Sequence, residues 1–312
     1  MPTPKIRSTA GALAGAAAAL WLTPALPHAV CGDRIFPATL AIDDPGVTDE
    51  LALPTLEWLP QNADGVGEFD ANFSWSKTIF PNLAVSVGAG PTWLHTPSGY
   101  GWDALDTEAK YQFFCIPQLE FMGSVGFDVS WGGSATGAQT GSPNMYSPVL
   151  DVGLGLGALP SSLNFLRPFA VTGEIRTTTP GQAVWGGAQF ATSFNWGFTL
   201  QYSLPYFNSH IGAIDNDLFK HLIPIVEVAF STPTANAAPG TWGTTGAIQP
   251  GVVYMADKWQ VALEAVIPVN SASGHGAGVI AQLDLFMDDI FPDSLGKPIF
   301  SQSLPMFTGA RQ

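Results

Sequence analysis

Along residues 194–204 every second position is large and apolar: Phe194, Trp196, Phe198, Leu200, Tyr202 and Leu204. The positions between are Asn195, Gly197, Thr199, Gln201 and Ser203. A period of two belongs to an extended strand, whose side chains alternate between two faces. The alternation recurs. In 68–79, Phe69, Ala71, Phe73 and Trp75 oppose Asp70, Asn72, Ser74 and Ser76. In 104–114, Leu105, Thr107, Ala109, Tyr111 and Phe113 oppose Asp106, Glu108, Lys110 and Gln112. In 119–131, Leu119, Phe121, Val125, Phe127, Val129 and Trp131 oppose Glu120, Ser124, Asp128 and Ser130. Further strands are predicted over 83–93, 149–157, 168–177, 221–230, 246–255, 259–269 and 278–287, and the first described extends over 191–204. Most are of the length that a tilted strand needs to cross a bilayer, and longer than the usual soluble strand.

The connections alternate too. Short ones marked by Pro or Asp lie at 79–82, 115–118, 158–166 and 256–258. Between them come longer Gly/Ser/Thr-rich ones at 95–101, 132–147, 178–190, 231–244 and 270–277. This is the alternation of periplasmic turns and extracellular loops in a transmembrane barrel. The connection at 205–220 falls on the short side by order but is long, and is expected to hold a helical turn. Parity then requires one more strand before residue 68, and 49–58 is the candidate, although Pro54 interrupts it. The expected fold is an all-β antiparallel transmembrane barrel of about 12 strands, with both ends of the barrel in the periplasm.

A soluble sandwich shares the alternation but needs polar outward faces. Here Trp75, Trp93, Trp131, Trp196 and Trp259 fall where interfacial girdles would lie, and the polar faces carry acids at mid-strand. Composition agrees: 46% of the chain is hydrophobic and only 12% is charged, about half the usual charged fraction. No segment after the leader has the run of roughly 18 apolar residues that a membrane helix needs. Residues 1–29 read as a secretory signal, with Lys5 and Arg7 before the apolar run 11–22. Without them the net charge moves from −14 to −16, which excludes nucleic acid as a natural partner. The expected division is signal peptide 1–29, periplasmic N-terminal segment 30–48, barrel 49–287 and periplasmic tail 288–312. Residues 30–48 have two courses open to them, a plug in the lumen or a strip along the rim.

The inward faces place twelve ionisable groups in the lumen: Asp70, Asp106, Glu108, Lys110, Glu120, Asp128, Asp151, Glu174, Arg176, Glu227, Glu264 and Asp284. Ten acids against two bases create a negative potential that favours cations. Ion pairing that merely fills the barrel is the plainer reading of the same residues. The five histidines (His28, His95, His210, His221, His275) have no metal-ligand spacing, and no metal or other cofactor is expected. No catalytic residue is assigned; a rim hydrolase would need an acid or Ser partner for His95, which the local sequence does not supply. Cys31 and Cys115, the only cysteines, are both placed on the periplasmic side. A disulfide between them would tether the N-terminal segment to the barrel.

The stretch VALEAVIPVNSASGHGAGVIAQLDLFMDDIFPDSLGKPIF at 261–300 resembles the end of a family of bacterial outer-membrane transporters, that of the MetA-pathway of phenol degradation. DDPGVTDELALPTLEW and RPFAVTGEI (167–175) are similar to the same group. The resemblance implies a twelve-stranded type of barrel admitting aromatic or other small hydrophobic compounds, and defines no functional residues. The expected function is passive uptake or efflux of small molecules across the bacterial outer membrane, with membrane lipid and a small solute as partners. A barrel that anchors or sheathes a periplasmic protein is the alternative.

Overall fold

The structure, a computed structural model, describes residues 29–96, 99–132 and 141–309. All of the expected leader except Ala29 lies outside the described residues. A short hairpin, β1 (Ala29–Cys31) and β2 (Arg34–Phe36), opens the described chain. The barrel wall follows: β3 (Glu50–Leu59), β4 (Glu68–Phe80), β5 (Leu83–Ala89) continued by β6 (Pro91–Leu94), and β7 (Tyr100–Trp102) continued by β8 (Asp106–Ile116). Next come β9 (Phe121–Trp131), β10 (Asn144–Gly155) and β11 (Phe169–Pro180). A miniature hairpin, β12 (Val184–Trp185) and β13 (Ala188–Gln189), stands in the following loop. The wall ends with β14 (Thr192–Tyr202), β15 (Leu222–Ala235), β16 (Thr245–Met255), β17 (Trp259–Pro268) and β18 (Gly278–Phe286). With β5/β6 and β7/β8 each taken as one wall strand, the described residues form twelve antiparallel wall strands. β18 pairs back on β3, from Val279↔Trp58 to Phe286↔Glu50, and closes the barrel.

Closure leaves no sheet edge, so every wall strand finds its backbone partners within the protein, which is what a lipid surround demands. In β14, Phe194, Trp196, Phe198 and Leu200 are 38–41% exposed, while Thr199 and Gln201 are 1% exposed. The apolar face therefore points out and the polar face in, the reverse of a soluble sandwich. Outward Trp58, Trp75, Phe127, Leu154, Ile175, Leu263 and Val279 carry the same band around the wall. Among the described residues no helix is long and apolar enough to cross a membrane. An apolar exterior band on a closed barrel is the construction of a bacterial outer-membrane protein.

The weak twelfth strand forms. Its register slips between Ala52 and Thr55 against β4, at the site of Pro54. A residue without an N–H cannot keep the ladder, and the strand absorbs it as an irregularity. β10 begins at Asn144, earlier than the expected 149, because Asn144–Pro148 pair with β9 from Trp131 to Phe127. A Ser- and Pro-containing stretch reads locally as loop, and cross-strand pairing overrides it. The long connection at 205–220 holds α1 (Leu204–His210), capped by the Ser203 hydroxyl accepting from the Tyr206 amide. After the short helix α2 (Met287–Ile290), the tail runs along the end of the barrel that carries the short turns. The amides of Ile299 and Phe300 donate to the carbonyls of Thr78 and Ile79. Phe307 forms a parallel bridge with Phe114 and exchanges main-chain hydrogen bonds with Phe113 and Cys115. It thereby covers the part of β8 that extends beyond β5.

Candidate functional site

Residues 37–49 enter the lumen rather than run along the rim. The segment is anchored at its base. Cys31 and Cys115 form a disulfide. Arg34, fully buried, donates from Nε to Glu120 at 3.0 Å and from Nη1 to the Pro168 carbonyl at 3.0 Å. Its guanidinium lies 4.0 Å over the Tyr206 ring. Burial pulls the Arg34 guanidinium below its ordinary value, and the Glu120 carboxylate opposes that fall.

Higher in the lumen one carboxylate holds the tip of the plug. The amides of Leu40, Ala41 and Ile42 donate to Glu227 at 2.9, 2.8 and 3.3 Å, and the Thr199 hydroxyl donates to the same group at 2.7 Å. Gln260 donates to the Ala38 carbonyl at 2.7 Å, and the Asp43 amide donates to Glu174 at 3.3 Å. Glycines on the inner wall make room. A Cβ on Gly153 would meet Pro45 Cγ at 2.7 Å and Phe36 at 3.0 Å. Lys110, on β8, bonds the Asp43 carboxylate, donates to the Asp44 carbonyl at 2.8 Å, and lies 3.7 Å from Asp151.

Two polar chambers remain beside the plug. The outer, about 420 Å³, includes Asp106, Glu108, Asp128, Glu174 and Arg176 in its lining. There Arg176 is held by Glu174 at 2.6 Å and faces Asp128 at 3.6 Å. The inner, about 180 Å³, is lined by Glu50, Glu108, Lys110 and Asp284 together with plug residues. The remaining sequence-predicted residues sit elsewhere. Asp70 accepts from Thr92 toward the outer mouth. Glu120 occupies the turn between β8 and β9, where it also accepts from the Gly157 amide at 3.0 Å. Asp151 accepts from Ser124 at 3.2 Å. Glu264, 1% exposed, lies on β17 opposite Gly251 of β16, two strands from Glu227.

The sequence reading missed Arg34, Asp43, Asp44 and Glu50. The first three lie in a segment without strand periodicity, and Glu50 begins the least regular strand. The density of Asp in 43–49, DDPGVTD, was the available signal. Among the described residues no group of three or more His, Cys, Asp or Glu is arranged to hold a metal.

No family model matches the sequence, and no curated protein matches it. Among solved structures the chain is similar to the NanC porin, at 10% identity and a TM-score of 0.48, covering 76% of this chain and 98% of that one. It is similar to the KdgM porin at 10% identity and 0.45, covering 75% and 98%. It is similar also to LpxR from Salmonella typhimurium at 9% identity and 0.40, covering 76% and 99%. Likenesses this distant decide nothing about function, and the fold rests on the strand pairing above.

Proposed function

We propose that the protein is an outer-membrane channel through which small hydrophilic molecules move passively down their gradient, inward or outward. The observation that carries this reading is the polar space left beside the plug inside a barrel whose outside is apolar. A barrel built only as an anchor could fill its interior with side chains, as small barrels do. Excess carboxylates along that space favour cationic over anionic solutes. The aromatic or hydrophobic solute implied by the resemblance to phenol-degradation transporters fits less well, because such a compound would cross a lining of Asp, Glu and Ser. The sheath reading is disfavoured by the plug, which takes the space a guest would fill.

Reconstitution into planar bilayers tests the proposal. Discrete, weakly voltage-dependent conductance steps are expected. Deleting residues 37–48 while keeping the Cys31 hairpin should enlarge them. A silent full-length protein whose plug deletion is also silent would refute the channel.

A further inference from the structure

Resting on the channel reading, we propose that the neck between the two chambers, where Asp43 of the plug meets Ser74, Ser86, Glu108 and Gln282 of the wall, is a constriction that selects small cations. The two chambers share Thr39, Asp43, Ser74, Ser86, Glu108 and Gln282 in their linings. They therefore meet there. The neck is also off-centre. The tip of the plug hangs from β15 and β17 through Glu227, itself braced by Thr199 of β14, and Gln260, while Glu174 of β11 and Lys110 of β8 hold Asp43. At the neck the remaining passage runs along the wall from β18 to β8, which supplies Gln282, Ser74, Ser86 and Glu108.

Charge at the neck has one sign to spare. The Lys110 ammonium is engaged by Asp43, the Asp44 carbonyl and Asp151. Arg176 is engaged by Glu174 and Asp128. Neither base is left to receive an anion. The Asp43 side chain, by contrast, is 40% exposed while still paired, so it also faces the open space. Asp284 lines the inner chamber at 1% exposure, and its Oδ1 has no hydrogen-bond partner among the described residues. Glu108 Oε1 likewise lacks one. A buried acceptor without a donor is costly, and a cation in transit supplies the missing counter-charge. Beside these carboxylates on the same stretch of wall, Ser74, Ser76 and Ser86 offer hydroxyl oxygens that can stand in for part of a cation's hydration shell.

The test is the reversal potential of the reconstituted full chain under a KCl gradient. The unaltered protein is expected to favour K⁺ over Cl⁻. Glu108→Gln combined with Asp284→Asn should lower that preference by about threefold or more. Asp64→Asn, in the exposed loop after β3, should leave it unchanged. Ser86→Cys provides a second measure that keeps every carboxylate: a cationic thiosulfonate reagent should block the current faster than an anionic one of similar size. Conductance with unchanged selectivity in the double variant, or equal block of Ser86→Cys by both reagents, overturns the filter and leaves the channel standing. A silent full chain whose plug deletion conducts overturns the filter alone; silence of both overturns the channel with it.

Discussion

Glu227 accepts three consecutive main-chain amides and one hydroxyl, so a single side chain on β15 fastens the top of the plug. Its loss leaves those amides without their charged acceptor, at a local cost of about 2–3 kcal/mol. Glu227→Ala should therefore retain the barrel, since that clasp lies inside the wall, but raise single-channel conductance and current noise. Unchanged current in a folded variant would mean the plug is held elsewhere. Asp288 is informative for a different reason. It sits on α2, just past the end of β18, where burial first, and the neighbouring Asp289 second, push its carboxyl up to about 7. The folded state thus favours the protonated acid. That contribution is present below the ordinary carboxylate value of roughly 4 and is lost as pH rises through about 7. Asp288→Asn should raise the melting temperature at pH 8 and change it little at pH 4; equal shifts at both would show that the charge is not the cause.

At the scale of elements, the N-terminal hairpin and the C-terminal tail both act on the same end of the barrel, that of the short turns. Cys31 and Cys115 are 84 residues apart in sequence. Cross-linking a loop of that length stabilises by about 4 kcal/mol in the chain-entropy picture. Cys31→Ser with Cys115→Ser should lower the temperature at which the folded band in semi-native electrophoresis converts to the unfolded one, and reduction of the unaltered protein should reproduce the drop. A conversion temperature indifferent to both would remove the tether's role. The tail works by main-chain pairing, with Phe307 supplying the partners that β5 is too short to give.

For the whole molecule, the outward apolar band makes the bilayer part of the solvent. Phe198, central in β14 and 41% exposed, would be a harmless place for a charge on a soluble protein. On a barrel's lipid face, an Arg near the bilayer midplane costs about 2–4 kcal/mol. Phe198→Arg should accordingly reduce refolding yield into lipid vesicles, and full refolding would contradict the membrane orientation.

The wall was legible in the sequence because its signal is local: a period of two survives wherever one strand face meets hydrocarbon and the other meets polar groups. Phe194 to Leu204 states it directly, and the alternation of short and long connections then set the strand count through parity, including the strand that Pro54 obscures. The plug was not legible in the same way. Residues 37–49 carry no periodicity, and their place depends on contacts between residues far apart in sequence, such as Leu40 with Glu227 and Asp43 with Lys110. Sequence by itself determined that the regular wall strands have one apolar and one polar face, since that depends only on strand alternation and the medium on either side; at the strand ends, as for Glu50 and Glu120, it did not reach. Only the tertiary structure decided that the lumen is divided and that the open passage lies against one wall, because that follows from which partners closure of the barrel brings within hydrogen-bonding reach.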